Sequence, residues 1–171
     1  IFSDKIERHV PPRKGRKHVL RVLRDIAEYN FSGKKTDYEK GLAHFGRMTK
    51  KSAICFFISD FLEPFDSYLN ALKVVNARHD LILIALRDKA DIALTPIGLA
   101  AFEDPETGER IIVNTASKKA NAFYFSMQEK FFEDQKKLLQ KYRIDSLTLL
   151  CDQDLYHPLF LFFKRRQLAF K

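Results

Sequence analysis

Two short apolar runs, Ala53-Ile54-Cys55-Phe56-Phe57-Ile58 and Leu81-Ile82-Leu83-Ile84-Ala85-Leu86, flank a segment with helical periodicity. No other feature narrows the fold as much. Consecutive apolar residues in 53–58 predict a strand buried on both faces, the setting of a central strand in a parallel sheet. Between the runs, Asp66 through Asn76 sets Tyr68, Leu69, Leu72 and Val75 on one side of a helix. Two buried strands joined by a helix make a βαβ unit, so the strands are expected to run parallel. The first run stops at Ser59 and Asp60, and the fold has to account for a carboxylate there.

The flanking segments extend this pattern. Ile1-Phe2-Ser3 with alternating Ile6, Arg8 and Val10 reads as the tail of a strand, before Pro11-Pro12 and Gly15 break the backbone. Val19, Leu20, Val22, Leu23, Ile26 and Ala27 recur at helical spacing between Lys17 and Tyr29. After a loop at Ser32-Gly33-Lys34-Lys35, Thr36 suits an N-cap and Glu39 completes a capping box for a helix over 37–46. Ile97, Leu99 and Ala101 alternate ahead of Asp104-Pro105-Glu106-Thr107-Gly108, and Ile111 to Val113 follow, which predicts a hairpin. Its acids, Glu103, Asp104, Glu106 and Glu109, lack the spacing of a calcium loop.

A long helix from Ser117 to Arg143 repeats Tyr124, Phe131 and Leu138, with Phe125, Phe132 and Leu139 one residue on. Such a stripe packs on a sheet or forms a partner groove, and sheet packing is the expectation. A third buried strand covers Ser146 to Cys151. A last helix starts at Asp154 and ends on Lys164-Arg165-Arg166, where cations suit the helix dipole. The sum is an α/β domain, three-layered and mostly parallel, spanning 1–171 as one unit.

Composition limits the function classes. Apolar residues make up 46% and charged residues 30%, ordinary for a globular chain of 171 residues. No apolar run reaches the roughly 20 residues of a membrane span. Cys55 and Cys151, far apart, predict reduced thiols in a cytoplasmic protein, both as small buried hydrophobes. The net charge of +8 and pI near 9.5 come from short scattered clusters such as Lys34-Lys35, Lys50-Lys51 and Lys136-Lys137. They read as solvated surface, although a basic nucleic-acid-binding domain is the rival reading. Aromatic-basic stacking motifs for nucleic acid are missing.

Catalysis is not expected. Asp37-x-Glu39-Lys40 sits on a helix, where Asp37 and Lys40 are simple neighbours three residues apart. His9, His18, His44, His79 and His157 lack metal-ligand spacing. His44 is expected on a helix surface and His157, before Pro158, in a turn. No nucleophile elbow, phosphate loop or dinucleotide glycine pattern appears.

In an open parallel sheet, ligands sit at the carboxyl ends of the strands. Asp60 follows strand 53–58 and Thr36 opens a helix, so both are oxygen donors expected on that rim and suited to Mg²⁺ or Mn²⁺. As an N-cap and a capping acid they would be purely structural.

The ordered segments FSDKIERHVPPRKGRKHVLRVLRDI, TDYEKGLAHF, SAICFFISDFLEP, RHDLILIALRD and DPETGE together resemble the domain of unknown function 58 family. The resemblance covers nearly the whole chain. It implies a bacterial von Willebrand factor A-like domain with a metal-ion-dependent adhesion site. Three loops build such a site: Asp-x-Ser-x-Ser after the first strand, a threonine, and an aspartate after the fourth strand. The threonine matches Thr36 and the aspartate matches Asp60, so the apolar run would deliver a carboxylate to a metal rim. Asp-x-Ser-x-Ser is absent from these residues, and Lys35 stands where a small residue is common.

The expectation is therefore a piece of a longer protein that lacks the first central strand, with no metal held by this piece. Mg²⁺ or Mn²⁺ would bind only in the full-length protein. A sheet without that strand exposes edges, which invites a homodimer by strand pairing. The implied partner is a MoxR-type AAA+ ATPase, with which the module would assemble or mature client complexes.

Overall fold

A computed structural model of the chain describes residues 1–30, 35–104 and 108–169. The elements run in the order α1 (Arg16–Ala27), α2 (Tyr38–Met48), β1 (Ile54–Ser59), α3 (Leu69–Arg78), β2 (Asp80–Arg87), β3 (Leu99–Glu103), β4 (Arg110–Asn114), α4 (Lys118–Lys141), β5 (Asp145–Leu150) and α5 (Tyr156–Ala169). One-turn 3₁₀ segments at Phe65–Ser67 and Lys89–Asp91 follow β1 and β2.

β1, β2 and β5 form a parallel sheet in the order β1-β2-β5. The βαβ unit read from the two apolar runs is present, with Cys55 opposite Leu81 and Phe57 opposite Leu83. Helices cover both faces. On one side, Cys55, Phe57, Leu81 and Leu83 pack against Tyr38 and Leu42 of α2, Leu72 and Val75 of α3, and Leu139 of α4. On the other, Ile82, Ile84 and Leu149 pack against Leu159 and Phe162 of α5. Tyr68, Leu72 and Val75 are buried as their spacing predicts.

One strand assignment is corrected. β1 is not central, and β2 holds that place. Among the described residues β1 pairs with β2 alone, so its other edge is open. Its burial alternates: Cys55 and Phe57 face the core, while Ile54, Phe56 and Ile58 are 62%, 46% and 55% exposed. The apolar run is real, but a run records hydrophobicity and not whether a neighbour covers the second face.

The amino-terminal segment forms no strand. A single bridge joins Phe2 and Ile6, and the Ile1 ammonium donates to the Arg8 carbonyl at 2.9 Å, folding the segment on itself. Phe2 anchors it by stacking on Phe57 at 5.8 Å. Gly41 of α2 lies under that ring, where an added Cβ would come within 2.8 Å of a Phe2 carbon. Alternation here reflects turns of a compact loop and not a pleat.

Other boundaries shift for local reasons. Asp37, not Thr36, caps α2: its carboxylate accepts from the Lys40 amide at 2.8 Å, a stronger acceptor than a hydroxyl one residue earlier. Asp154 caps α5 by accepting from the Tyr156 and His157 amides at 3.0 and 3.2 Å, so His157 lies in the first helical turn. His44 is half-buried, with its Nε2 shielded from solvent, and not on a fully exposed helix face. The expected loop at Ser32-Gly33-Lys34-Lys35 falls mainly outside the described residues. β3 and β4 form the predicted antiparallel hairpin, whose turn residues Pro105, Glu106 and Thr107 also lie outside them. In the stripe of α4, Leu139 is buried, Tyr124, Phe131, Phe132 and Leu138 are half-buried, and Phe125 is exposed.

Cys55 is buried and Cys151 is exposed, so the expectation of two buried thiols holds for the first alone. Burial pushes the Cys55 thiol up from 9.0 to about 11. A raised thiol pKa favours the protonated, unreactive form at neutral pH, and its contribution to stability is lost only as pH rises from about 9 to about 11. Ellman titration of the native chain at pH 8 should therefore count one fast thiol, with the second appearing in guanidinium. Two fast thiols would contradict this burial.

Candidate functional site

Three segments converge at the carboxyl end of β1. The exposed Asp60 carboxylate follows the strand directly, and its Oδ1 accepts from the Tyr38 and Ser59 hydroxyls, each at 3.2 Å. Tyr38 Oη and Ser59 Oγ are also 2.8 Å apart, so the two hydroxyl protons are shared among three short contacts. Tyr38 projects from the first turn of α2, with its ring centroid 4.6 Å from that of Tyr68 and 5.8 Å from that of Phe57. Burial, and then the Asp60 carboxylate, push the Tyr38 hydroxyl up to about 12. It therefore remains a donor to Asp60 throughout the neutral range. Burial raises the Tyr68 hydroxyl further still.

Thr36 is exposed ahead of the Asp37 cap. It lines a surface depression of about 420 Å³ with Asp4, Glu39, Glu63 and Ser67. Asp60 is not part of that lining. The link between the two is Tyr38, which follows Thr36 by two residues and touches Asp60 with its hydroxyl. Neighbouring charge is partly committed. Lys40 Nζ pairs with Asp37 at 3.0 Å and donates to the Asp4 carbonyl at 3.2 Å, and Ser67 donates to Glu63 at 2.8 Å.

Thr36 and Asp60 offer two of the six oxygens that Mg²⁺ requires in near-octahedral geometry. One Asp60 oxygen already accepts two hydrogen bonds. Among the described residues, no group of three or more His, Cys, Asp or Glu side chains could hold a metal ion. Among the described residues, Thr36 and Asp60 alone do not fill that shell.

A second polar group occupies the same rim. Arg87 ends β2 and is only 5% exposed. Its guanidinium carbon lies 4.1 Å from the centre of the Phe132 ring of α4. Burial lowers its pKa, and the Asp91 and Asp60 carboxylates act against that shift. Nη1 is buried without a hydrogen-bond partner among the described residues. Nearby, Gln135 of α4 is buried and donates to the Phe61 carbonyl at 2.8 Å, tying the helix to the loop that carries Asp60.

Sequence reading picked Thr36 and Asp60 but not Tyr38, Ser59, Arg87 or Gln135. Arg87 had a signal: a cation closing an otherwise apolar strand. Gln135 had one too, as a polar residue between Phe132 and Leu139 on the apolar stripe. Tyr38 had none, since a tyrosine in a first helical turn is ordinary.

The fold and rim define an α/β protein with a parallel three-stranded sheet, helices on both faces and polar residues gathered at the strands' carboxyl ends. The chain belongs to the family described as protein of unknown function DUF58, whose model matches residues 1–131. It is similar to the uncharacterized protein Mb1516 of Mycobacterium bovis and the uncharacterized protein Rv1480 of Mycobacterium tuberculosis, 31% identical to each over 101 residues. Those residues are 58% of this chain and 32% of each relative. Identity to the uncharacterized protein MAV169 of Mycobacterium avium is 32% over 101 residues, 58% of this chain and 59% of that protein. The matched stretch thus spans about a third of the first two relatives' length. No solved structure matches the chain. No helix among the described residues is long and apolar enough to cross a membrane.

Proposed function

We propose that this chain is a protein–protein interaction module of the von Willebrand factor A-like class. In this reading it works with a MoxR-type AAA+ ATPase in the assembly or maturation of client complexes. Thr36 and Asp60 contribute to an adhesion site whose remaining oxygens come from an Asp-x-Ser-x-Ser segment outside these 171 residues. A Mg²⁺ or Mn²⁺ ion in the longer protein would complete its shell with an acidic side chain of the partner. The observation that carries the reading is the exposed Asp60 carboxylate, held at the carboxyl end of β1 by Tyr38 and Ser59. The parallel sheet with helices on both faces supports it.

The test is retention of a MoxR-type ATPase by the full-length protein. Wild type is expected to retain it in Mg²⁺ and release it in EDTA. Asp60→Ala should cut retention at least about tenfold, a loss of about 1.4 kcal/mol. Asp60 is exposed, so the substitution leaves the core intact and thermal stability serves as the control. Equal retention by wild type and Asp60→Ala would refute the role of this carboxylate.

A further inference from the structure

The α4-side face of the sheet is incompletely filled. Leu83, Ala85 and Arg87 of β2 stand in register with Ser146, Thr148 and Leu150 of β5. The first two β5 positions are polar and exposed where the β2 positions are apolar. Leu139 of α4 packs with Leu83 and Phe132 lies over Arg87, and a cavity of about 500 Å³ lies between the helix and the two strands. Its volume falls in the range of small-molecule sites, roughly 300–1,000 Å³.

The walls are chiefly apolar, from Phe61, Phe65, Leu83, Ile92, Phe132 and Leu139. Two cations reach them, Arg87 and Lys136. The one carboxylate on the wall, Glu133, is 3.0 Å from Lys137 and committed to it. Asp91 and Asp60 offset the Arg87 charge, but neither hydrogen-bonds its buried Nη1, and a buried donor left without a partner is costly. Arg87, one of its lining residues, stands at the carboxyl end of a parallel strand, the end where such sheets place their ligands.

From this geometry we infer that the cavity binds a small organic carboxylate, with its apolar body against Phe61, Phe65 and Leu139 and its head group at Arg87. A multiply charged phosphate fits less well. It would need more donors than Arg87 and Lys136, and it would meet Glu133 without an apolar body to bury. The inference stands apart from the interaction role proposed above, since Asp60 does not line this cavity.

The test is titration of the ¹⁵N-labelled chain with sodium octanoate, with 1-octanol and inorganic phosphate as separate probes. Octanoate should saturate one site, shifting amides of β2, β5 and α4 around Arg87. The alcohol and phosphate should each bind at least tenfold more weakly. Arg87→Met should weaken octanoate at least tenfold. Ser146→Trp, placed on an exposed β5 position, should block the cavity while leaving Arg87 and the core untouched, and it decides the matter if Arg87→Met fails to fold. Octanoate shifts mapping to the exposed face of α1, unchanged affinity in the folded variants, phosphate binding as tight as octanoate, or no saturable binding would each overturn the inference.

Discussion

Phe61→Ala is expected to lower the folding stability by about 3–5 kcal/mol, the usual cost of emptying a large aromatic site in a core. Phe61 is 1% exposed and sits at the centre of an aromatic cluster, 5.3 Å from Phe57, 5.9 Å from Phe65 and 6.0 Å from Tyr38. Each kcal/mol moves Tm by about 2–4 °C in a chain of this size, so the midpoint should fall by roughly 10 °C. The backbone supplies a sharper check. Phe61 has φ +49°, in the left-handed region where a side chain costs about 1–2 kcal/mol and glycine costs none. Phe61→Gly should therefore be less damaging than Phe61→Ala by about 1 kcal/mol, the reverse of the order in ordinary backbone. Calorimetric melting of both variants measures this. A loss below about 1 kcal/mol for alanine would mean that the ring is not packed as described.

Arg166→Met is the second large effect. Arg166 of α5 donates from Nη2 to both oxygens of Asp80 at 2.6 Å, and from Nη1 to Asp145. The guanidinium side chain is 13% exposed, while Asp80 and Asp145 are 40% and 55% exposed. It clamps the amino-terminal ends of β2 and β5 to the last helix and holds two carboxylates on adjacent strands together. A fully buried pair broken on one side loses about 3–5 kcal/mol, and an exposed one about 0–1. The half-buried geometry places this loss near 2 kcal/mol. Methionine keeps much of the apolar stem, so the loss reports the charge.

Urea unfolding should show the Arg166→Met deficit shrinking in 1 M salt, because the carboxylates are screened. The double variant Arg166→Met with Asp80→Asn should be less than additive by about 1 kcal/mol. Strict additivity would place the stabilisation elsewhere on the Arg166 side chain.

Both residues show why the site was harder to read than the fold. Arg166 was legible as a helix-terminal cation, but its partners lie 86 and 21 residues away in the chain. Asp60 was legible because it interrupts an apolar run. Tyr38, which orients it, comes from another helix and carries no local signature. A cation at a strand end is usually solvated, and only the tertiary packing, with Phe132 over its guanidinium, makes Arg87 buried.

By itself the sequence determined the elements whose signals are local. These are the parallel βαβ unit around residues 54–87, the amphipathic α2 and α3, the hairpin before the long helix, and the carboxylate that ends β1. Side-chain periodicity is set by backbone geometry over a few residues, so it survives in the linear order. Tertiary structure alone decided that β2 is central and β1 an edge strand, that the Val19, Leu20, Leu23 and Ile26 face of α1 stays exposed, and that Arg87 is buried beside a cavity. Those outcomes depend on which surfaces meet. An apolar side chain carries the same signal whether a neighbour covers it or not.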